Sequence, residues 1–376
     1  MPDIYGTQGS ETINGTTEPE QIYGLDGDDI IYGGDGTDTY NDDLIKGGPG
    51  NDLIYGGAGG DMIYDEFGDD TVYAGAGRDL VYGSAGNDYY DGGDGYDSLN
   101  YFDALAGVLI DMTLATGQVR SMKPNDAASV GVDTFTNFEY IGGSKFDDVI
   151  IGDAANNRFW GADGNDTLRG GGGDDELLGG IGNDTLDGGD GYDLAMYAGV
   201  IAGVTVSLAV SGPQNTGHGM DTLTNIEGIV GTYYDDVLTG NDAANRLDGD
   251  PGNDRIYGGG GDDLIDGGPG IDILTGGAGA DTFTMTDFNG DTVTDFSAGD
   301  RLYFQYGRPV SLSFSNGVLS IGSGSLTLSG VNNNVSLAVT TLADGAVAIG
   351  FGGPALITAA TTAPAASIAA DAFGLG

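Results

Sequence analysis

The chain has 376 residues, with 74 Gly, 58 acidic residues against 11 basic ones, no Cys, and a formal net charge of −47. Glycine at this level excludes a helical protein, because each helical Gly costs about 1 kcal/mol relative to Ala. Nucleic acid and anionic membrane are poor partners for such a surface, since both need Lys and Arg to neutralise phosphate, and we expect no nucleic acid to bind. A charge this large is typical of disordered chains, yet apolar residues recur at fixed intervals, so the charge indicates a requirement for cations.

The N-terminal sequence MPDIYGTQGS has neither a basic nor an apolar signal region. We therefore expect no cleavable secretory signal. No run of about 20 apolar residues is present, so we also expect no membrane insertion.

A nine-residue repeat, G-G-x-G-x-D-x-U-x with U a large apolar residue, runs through most of the chain. Residues 47–100, 143–196 and 231–284 each divide into consecutive nonamers. Upstream, the same phase continues from Gly6, and a five-residue insertion is placed near Asp42 to Lys46. The pattern resembles the RTX, or haemolysin-type calcium-binding, repeat over roughly two thirds of the chain.

This resemblance implies an all-β fold, a parallel β-roll (a right-handed β-solenoid), in which two nonamers form one coil and alternate repeats stack in the same sheet. Glycines at positions 1, 2 and 4 permit a turn with positive φ. Positions 7 to 9 form a short strand whose middle residue points inward. The predicted core is Ile31, Ile54, Ile63, Val72, Val81, Leu99, Leu168, Leu177, Leu186, Ile256, Ile265 and Leu274.

The aspartate at position 6 of each repeat then faces its counterpart on the next coil. Two carboxylates and the surrounding turn carbonyls supply the oxygen shell that Ca²⁺ prefers, which predicts about a dozen ions. The alternative is that these are Asp-containing turns without an ion. The predicted pairs are Asp29 with Asp52, Asp38 with Asp61, Asp52 with Asp70, Asp61 with Asp79, Asp70 with Asp88, Asp79 with Asp97, Asp148 with Asp166, Asp166 with Asp184, Asp175 with Asp193, Asp236 with Asp254, Asp254 with Asp272 and Asp263 with Asp281.

Each block opens with two degenerate nonamers, at residues 6–23, 143–160 and 231–248. In the second and third blocks a position-6 residue of these nonamers is Asn157 and Asn245, respectively, a neutral and weaker ligand. Poor ligands at one end of a roll are typical of a capping repeat. Because the first cap begins at residue 6, we expect no further domain upstream.

These patterns predict seven segments along the chain. The roll blocks are 1–100, 143–196 and 231–284, and the β spacers between them are 101–142 and 197–230. Residues 285–353 are similar to the β-rich segment that closes the roll in serralysin-type proteases. Residues 354–376 are predicted to be a flexible tail, and the combination of tail and repeats resembles a substrate of type I secretion machinery. The alternative for the tail is a plain flexible end.

The sequence offers no pattern for catalysis, and we predict that the chain is not an enzyme. The one histidine, His218, lies in a Gly-rich spacer, so the zinc helix H-E-x-x-H of serralysins is absent. No P-loop and no G-x-S-x-G motif is present. Paired carboxylates also serve glycoside chemistry, but nearly every turn here offers such a pair, so they do not discriminate.

Tyrosines occupy the outward-facing position 9 of several repeats in the first block. Alternate repeats share a sheet, so Tyr32, Tyr55 and Tyr73 should stack on one face and Tyr64 and Tyr82 on the other. Such rings either stabilise the strands alone or form a docking surface for glycan or a second copy.

We therefore predict a secreted, extracellular or cell-surface protein that calcium folds outside the cell. Its role would be structural, as a surface-layer, matrix or adhesive protein that self-assembles or binds cell-surface polysaccharide. The alternative is an accessory glycan-binding protein.

Overall fold

The computed structural model describes residues 1–35, 43–123, 130–199, 201–284, 289–304, 312–315, 318–321, 324–328, 337–341 and 347–351. These residues form strands and turns, and they contain no helix that could span a membrane. The chain divides into two compact units, Met1–Asp193 and Leu194–Gly376.

The described residues of the first unit form twenty strands. They are β1 (Asp3–Tyr5), β2 (Thr12–Asn14), β3 (Gln21–Tyr23), β4 (Ile30–Asp35), β5 (Leu44–Pro49), β6 (Leu53–Ala58), β7 (Met62–Phe67), β8 (Thr71–Gly77), β9 (Leu80–Tyr82), β10 (Tyr89–Gly95), β11 (Ser98–Asn100), β12 (Val108–Asp111), β13 (Gly117–Ser121), β14 (Val132–Thr136), β15 (Tyr140–Gly142), β16 (Val149–Ile151), β17 (Arg158–Asp163), β18 (Thr167–Gly172), β19 (Glu176–Ile181) and β20 (Thr185–Asp190).

Alternate strands of this unit pair in parallel, which confirms the β-roll. One face runs β1-β3-β5-β7-β9-β11-β15-β17-β19. The other runs β2-β4-β6-β8-β10-β14 and, after the antiparallel strands β13 and β12, continues through β16-β18-β20. The register aligns Ile54 with Val72, one coil of two nonamers later. On the first face, parallel pairing continues from β11 through β15 to β17, across the 101–142 segment.

A single inward side chain per repeat builds the core. Every residue of the predicted core is at most 1% exposed, which confirms that prediction. The strands, however, are longer than the predicted three residues in many repeats. β6, for example, runs through the two glycines that follow Tyr55.

The glycines of the repeat serve two different purposes. Gly57 and Gly59, at positions 2 and 4, have φ of 116° and 127°, which favours glycine. Gly47, at position 1, is not among the residues with positive φ. A Cβ there would lie 2.5 Å from Asp52 Oδ2 and 2.6 Å from the Asp65 carbonyl oxygen, so position 1 needs glycine for space.

The predicted site of the insertion in the first block is wrong. Strand β5 places Ile45 opposite Ile22, and Ile45 is fully buried. The segment Leu44–Lys46 therefore belongs to the roll, and the extra residues lie between Asp35 and Asp43.

Within its described ranges, the second unit has eighteen strands. They are β21 (Leu194–Met196), β22 (Thr205–Ser207), β23 (Gln214–Asn215), β24 (Met220–Thr224), β25 (Gly228–Val230), β26 (Val237–Thr239), β27 (Arg246–Asp248), β28 (Arg255–Gly260), β29 (Leu264–Asp266), β30 (Ile273–Ala278), β31 (Thr282–Thr284), β32 (Asn289–Val293), β33 (Arg301–Phe304), β34 (Leu312–Ser315), β35 (Val318–Ile321), β36 (Gly324–Leu328), β37 (Leu337–Thr341) and β38 (Val347–Phe351).

Its parallel faces are β21-β25-β27-β29-β31-β33 and β22-β26-β28-β30-β32-β36. Parallel stacking thus extends past residue 284 to β32 and β33, where the pattern D-x-U-x persists around Val293 and Leu302. The antiparallel strands β34, β35, β37 and β38 follow. The tail 354–376 lies outside the described residues.

Candidate metal sites

The strands and turns place the position-6 aspartates inside the roll. Each follows a turn and immediately precedes an inward-facing strand, so its carboxylate is held beside the core rather than in solvent. Asp29, Asp52, Asp70 and Asp79 are each at most 2% exposed. A carboxylate this deeply buried is costly unless it is paired, protonated or bound to a metal.

Hydrogen bonds connect these aspartates into rows that follow the stacking direction. The backbone N–H of Asp52 donates to Asp70 Oδ1 at 2.6 Å, and that of Asp70 donates to Asp88 Oδ1 at 2.8 Å. The same bond, at 2.7 to 3.1 Å, joins Asp29 with Asp52, Asp61 with Asp79, Asp79 with Asp97, Asp148 with Asp166, Asp166 with Asp184, Asp175 with Asp193, Asp236 with Asp254, Asp254 with Asp272 and Asp263 with Asp281. The structure therefore brings together all the predicted pairs except the one that contains Asp38.

The second block shows the same arrangement in Asp184 and Asp193. The backbone N–H of Asp166 donates to Asp184 Oδ1 at 2.9 Å, and that of Asp175 donates to Asp193 Oδ1 at 2.8 Å. Asp184 is 2% exposed and Asp193 is fully buried. Both therefore stand where the nine-residue period predicts them, each stacked on the aspartate of the preceding coil.

Asp38 lies outside the described residues, and Asp61, its predicted partner, pairs with Asp43. The backbone N–H of Asp43 donates to Asp61 Oδ1 at 3.0 Å, and that of Glu20 donates to Asp43 Oδ1 at 2.9 Å. Asp43 is therefore the position-6 residue of its repeat, and the predicted pair of Asp38 with Asp61 is replaced by Asp43 with Asp61.

The second oxygen of each row aspartate, Oδ2, lacks a hydrogen-bond partner in many of the repeats. Within the part of the chain that the structure describes, Oδ2 is buried without a hydrogen-bond partner in Asp29, Asp52, Asp70, Asp79, Asp97, Asp166, Asp175, Asp254, Asp263 and Asp281. A buried unsatisfied carboxylate oxygen is costly, and a cation is the partner that an acceptor-only group can take.

The glycine at position 1 lies directly against Oδ2 of the aspartate of its own repeat. At Gly47, the point where a Cβ would stand is 2.5 Å from Asp52 Oδ2 and 2.6 Å from the Asp65 carbonyl oxygen. The corresponding point at Gly24 is 2.8 Å from Asp29 Oδ2. The Oδ2 atoms therefore crowd the position-1 glycines, and a side chain there would displace the carboxylate that a cation needs.

Burial raises the pKa of these aspartates above the usual value of an aspartate. The pKa rises to about 8 for Asp79, Asp166 and Asp254, and to about 9 for Asp70. In each case desolvation is the main cause, and the negative charge of stacked neighbours adds to it. In the absence of a cation, the folded roll therefore favours protonated carboxyl groups.

At the start of several rows, the first carboxylate accepts hydrogen bonds from protein groups instead. Asp148 accepts from Ser144 N–H at 2.6 Å and from Val108 N–H at 2.7 Å. Asp236 accepts from Thr232 N–H at 2.6 Å and from Val204 N–H at 2.7 Å. Glu11 accepts from Thr7, and Glu20 from Thr16, in the same way. A Ser or Thr four residues before the acid is therefore the sequence signal of a row end.

The rows also continue beyond the residues that the nonamer period identifies. The N–H groups of Asp88 and Asp97 donate to Asp133 Oδ1 and Glu139 Oε2. Those of Asp272 and Asp281 donate to Asp291 Oδ1 and Asp300 Oδ1. Asp291 and Asp300 stand in the pattern D-x-U-x, and this pattern could have identified them from the sequence.

The outward tyrosines stack as their spacing predicts. Ring centroids are 5.0 Å apart for Tyr32 and Tyr55, 5.2 Å for Tyr55 and Tyr73, and 4.4 Å for Tyr64 and Tyr82. Tyr32 and Tyr73 are 41% and 37% exposed. The stacked rings therefore form two ladders on the first roll, of which the first is the more open to solvent.

The single histidine stands apart from the rows. His218 is in the 197–230 segment, and its Nε2 lies 3.3 Å from the Ala202 carbonyl oxygen. It belongs to no group of metal-ligating side chains among the described residues.

The comparisons with known proteins agree with the repeat geometry. The family model of the RTX calcium-binding nonapeptide repeat matches residues 5–40, 39–64, 66–99, 139–168, 160–195, 230–265 and 257–284, which together make up more than half of the chain. No curated protein matches the chain. Among solved structures, the extracellular lipase LipA from Serratia marcescens is 21% identical, with a TM-score of 0.20.

That match covers 56% of this chain and 40% of the lipase chain. Because the chain spans well under two thirds of the lipase and the TM-score is low, the lipase carries no argument about fold or activity. The repeat pattern, the parallel coils and the family model agree with one another: the chain belongs to the RTX calcium-binding nonapeptide repeat family.

Proposed function

We propose that the chain is a secreted protein whose β-roll forms when calcium fills the rows of stacked aspartates. The observation that carries this proposal is the set of buried Oδ2 atoms that have no protein partner. Family membership supports it, since RTX repeats bind calcium and proteins that contain them are typically secreted. The roll of such proteins is typically a non-catalytic module, and we assign the chain no catalytic role.

The residues present fit calcium rather than a softer metal. The buried atoms that have no protein partner are carboxylate oxygens, and hard cations take oxygen ligands. Successive aspartates of a row, such as Asp61 and Asp79 or Asp166 and Asp184, would hold one ion between them, about a dozen in all. Asp148 and Asp236 already receive several protein hydrogen bonds, so we place the ions further along their rows.

Calcium would supply the free energy that the thin core lacks. The chain carries a formal charge of −47, and without cations the rows confine carboxylates in a region of low dielectric constant. Metal-binding energy then becomes folding energy. Because calcium is scarce in the cytosol and abundant outside cells, folding would follow export, for which we propose type I secretion machinery.

Outside the cell, we infer a structural role as a surface-layer, matrix or adhesive protein. Repeated coils make up most of the described chain, and the first roll presents the open ladder Tyr32, Tyr55 and Tyr73. Stacked, half-exposed aromatic rings provide contact area at small cost in entropy. This ladder would dock a second copy of the chain or a cell-surface polysaccharide. Binding to polysaccharide alone, without assembly, would instead favour an accessory glycan-binding protein.

Electron microscopy of the full chain with and without calcium tests the role. We expect ordered sheets or filaments in millimolar calcium and none in chelator. The triple variant Tyr32→Ser, Tyr55→Ser and Tyr73→Ser should lose assembly while it retains calcium-induced folding. Tyr257→Ser is the matched control, because Tyr257 is an outward tyrosine of the same repeat position that pairs with Thr239 and Thr275 on the adjacent strands.

Monomers that retain polysaccharide on a pull-down would support the alternative role. Assembly and polysaccharide binding that are both unchanged in the triple variant would contradict any docking role for the ladder.

A further inference from the structure

We propose that Asp65, Asp70 and Asp88 form a calcium site with three carboxylates, which binds more tightly than the two-aspartate sites of the ordinary repeats. This inference rests on the proposed function, because it concerns one member of the same rows. Asp65 is the new element, since position 1 of a nonamer is normally glycine.

The three carboxylates lie together in the interior of the first roll. In the described part of the chain they form the one group of three acidic residues that can each offer one oxygen so that the three oxygens lie within 4.8 Å of one another. Their exposed fractions are 0%, 2% and 2% for Asp65, Asp70 and Asp88. Two oxygens on opposite sides of one Ca²⁺ are at most about 5 Å apart, since each Ca²⁺–oxygen bond is about 2.3–2.6 Å long. Three oxygens within this limit can therefore bind one calcium ion together.

The register of the coils explains why Asp65 points at the row. Strand pairing aligns β7 with β5 on the preceding coil, so that Asp65 follows Tyr64 as Gly47 follows Lys46. A Cβ at Gly47 would lie 2.5 Å from Oδ2 of Asp52, the aspartate of the same repeat. By the same register, the Asp65 side chain begins beside Asp70, where ordinary repeats carry a glycine.

Asp70 supplies a second, independent indication of a ligand. Its Oδ1 accepts from Asp52 N–H at 2.6 Å, whereas its Oδ2 is buried without a hydrogen-bond partner. An acceptor-only oxygen that is fully enclosed and faces two further carboxylates calls for a cation.

Neutral hydrogen bonds reach Asp65 and Asp88 but leave the negative charge of the group uncompensated. Asp65 Oδ1 accepts from Glu66 N–H at 2.9 Å. The Tyr90 hydroxyl lies 2.5 Å from Asp65 Oδ2 and 3.1 Å from Asp88 Oδ2, but one hydroxyl proton serves only one of the two. The ion pairs found among the described residues involve none of the three aspartates. A divalent ion would relieve the repulsion, and affinity for calcium rises with the number of charged ligands.

Calcium titration of the full chain against a competing chelator tests this assignment. We expect one ion to bind at least about tenfold more tightly than the rest. Asp65→Gly, which restores the residue found at Gly47, should lose this tight class while the folded far-UV signal at saturating calcium is unchanged. Asp65→Asn, which keeps an acceptor atom, gives the same comparison if the glycine variant does not fold. Asp69→Asn is the control for charge, since Asp69 is the neighbour in the same turn and lies outside the group.

Terbium luminescence gives a second readout. Tyr90 adjoins the site, so its excitation should sensitise the first terbium ion that binds, and Tyr90→Phe should lower that signal while leaving the three carboxylates in place. An Asp65→Gly variant that keeps the tight class, or a first-equivalent signal unchanged in Tyr90→Phe, would overturn the assignment. A wild-type chain that does not fold with calcium would instead remove the proposed function itself.

Discussion

An aspartate inside a row should contribute to two calcium sites, whereas one at the end of a row should contribute to one. Asp79 lies between Asp61 and Asp97, because Asp61 N–H donates to Asp79 Oδ1 and Asp79 N–H donates to Asp97 Oδ1, both at 2.8 Å. Asp29 has Asp52 on one side and, on the other, Glu11, whose carboxylate is already bonded to Thr7. Replacing Asp79 by Ala should therefore remove two ions, and replacing Asp29 by Ala should remove one.

The cost in stability follows from the same geometry. A site occupied at about 100 times its Kd stabilises the folded state by about 2.7 kcal/mol, so two sites contribute about 5 kcal/mol. Asp79→Ala also leaves the buried Asp61 N–H without its acceptor, which costs about 1–3 kcal/mol. We expect a total loss of about 6–8 kcal/mol in the presence of calcium, which exceeds half the stability of a typical domain.

Equilibrium dialysis with calcium measures the stoichiometry, and urea unfolding in excess calcium measures the free energy. Asp94→Asn is the control, since Asp94 is an exposed aspartate of the same block and its substitution changes the charge alone. Equal losses of one ion from Asp79→Ala and Asp29→Ala would show that each aspartate holds its own ion and would refute the shared-row account.

Three further predictions follow from the rows and turns. Desolvation raises the pKa of Asp166 to about 8, so the calcium-free folded state binds more protons than the unfolded state between about pH 4 and pH 8, and its stability falls as pH rises through that window. Circular dichroism in chelator should then show more β-structure near pH 4.5 than at pH 8, and the reverse order would contradict the burial of the carboxyl groups. Asp43→Asn should weaken calcium binding in a chelator-competition titration while Asp38→Asn should not, because Asp43 stacks on Asp61; the opposite ranking would restore the alignment through Asp38. Gly57→Ala should destabilise the calcium-bound protein by more than about 1 kcal/mol in urea unfolding, since φ is 116° there, whereas Gly9→Ala, where a Cβ has open space, should have little effect.

The nonamer period was sufficient to predict the core and most of the rows. A fixed nine-residue repeat turns the same side chain inward in every coil, so Ile54 and Val72 could be assigned to the core without coordinates. The same period places Asp52 and Asp70, or Asp166 and Asp184, at equivalent turns of adjacent coils. Regular spacing along the sequence becomes regular stacking in space, which is why these predictions succeed.

The prediction failed where two alignments compete. The segment between Asp35 and Leu44 offers both Asp38 and Asp43 as a position-6 residue. Burial decides between them: with Asp43 at position 6, the inward position falls on Ile45, which is fully buried. An apolar residue at the inward position is therefore a better guide to the phase than the aspartate itself.

The sequence also could not reveal where a row crosses an irregular segment. Asp133 and Glu139 continue the rows of Asp88 and Asp97, but they follow at intervals of 45 and 42 residues rather than 18. The antiparallel pair β12–β13 accounts for the difference. Cross-strand pairing of this kind depends on tertiary structure, and no period in the sequence encodes it.

Far-UV circular dichroism at about pH 7.5, in excess chelator and then in millimolar calcium, tests most directly whether calcium in the aspartate rows folds the chain. The buried, unpartnered Oδ2 atoms and the formal charge of −47 predict an unfolded spectrum in chelator and a β-sheet spectrum after calcium is added. The same β-sheet spectrum under both conditions would contradict the account.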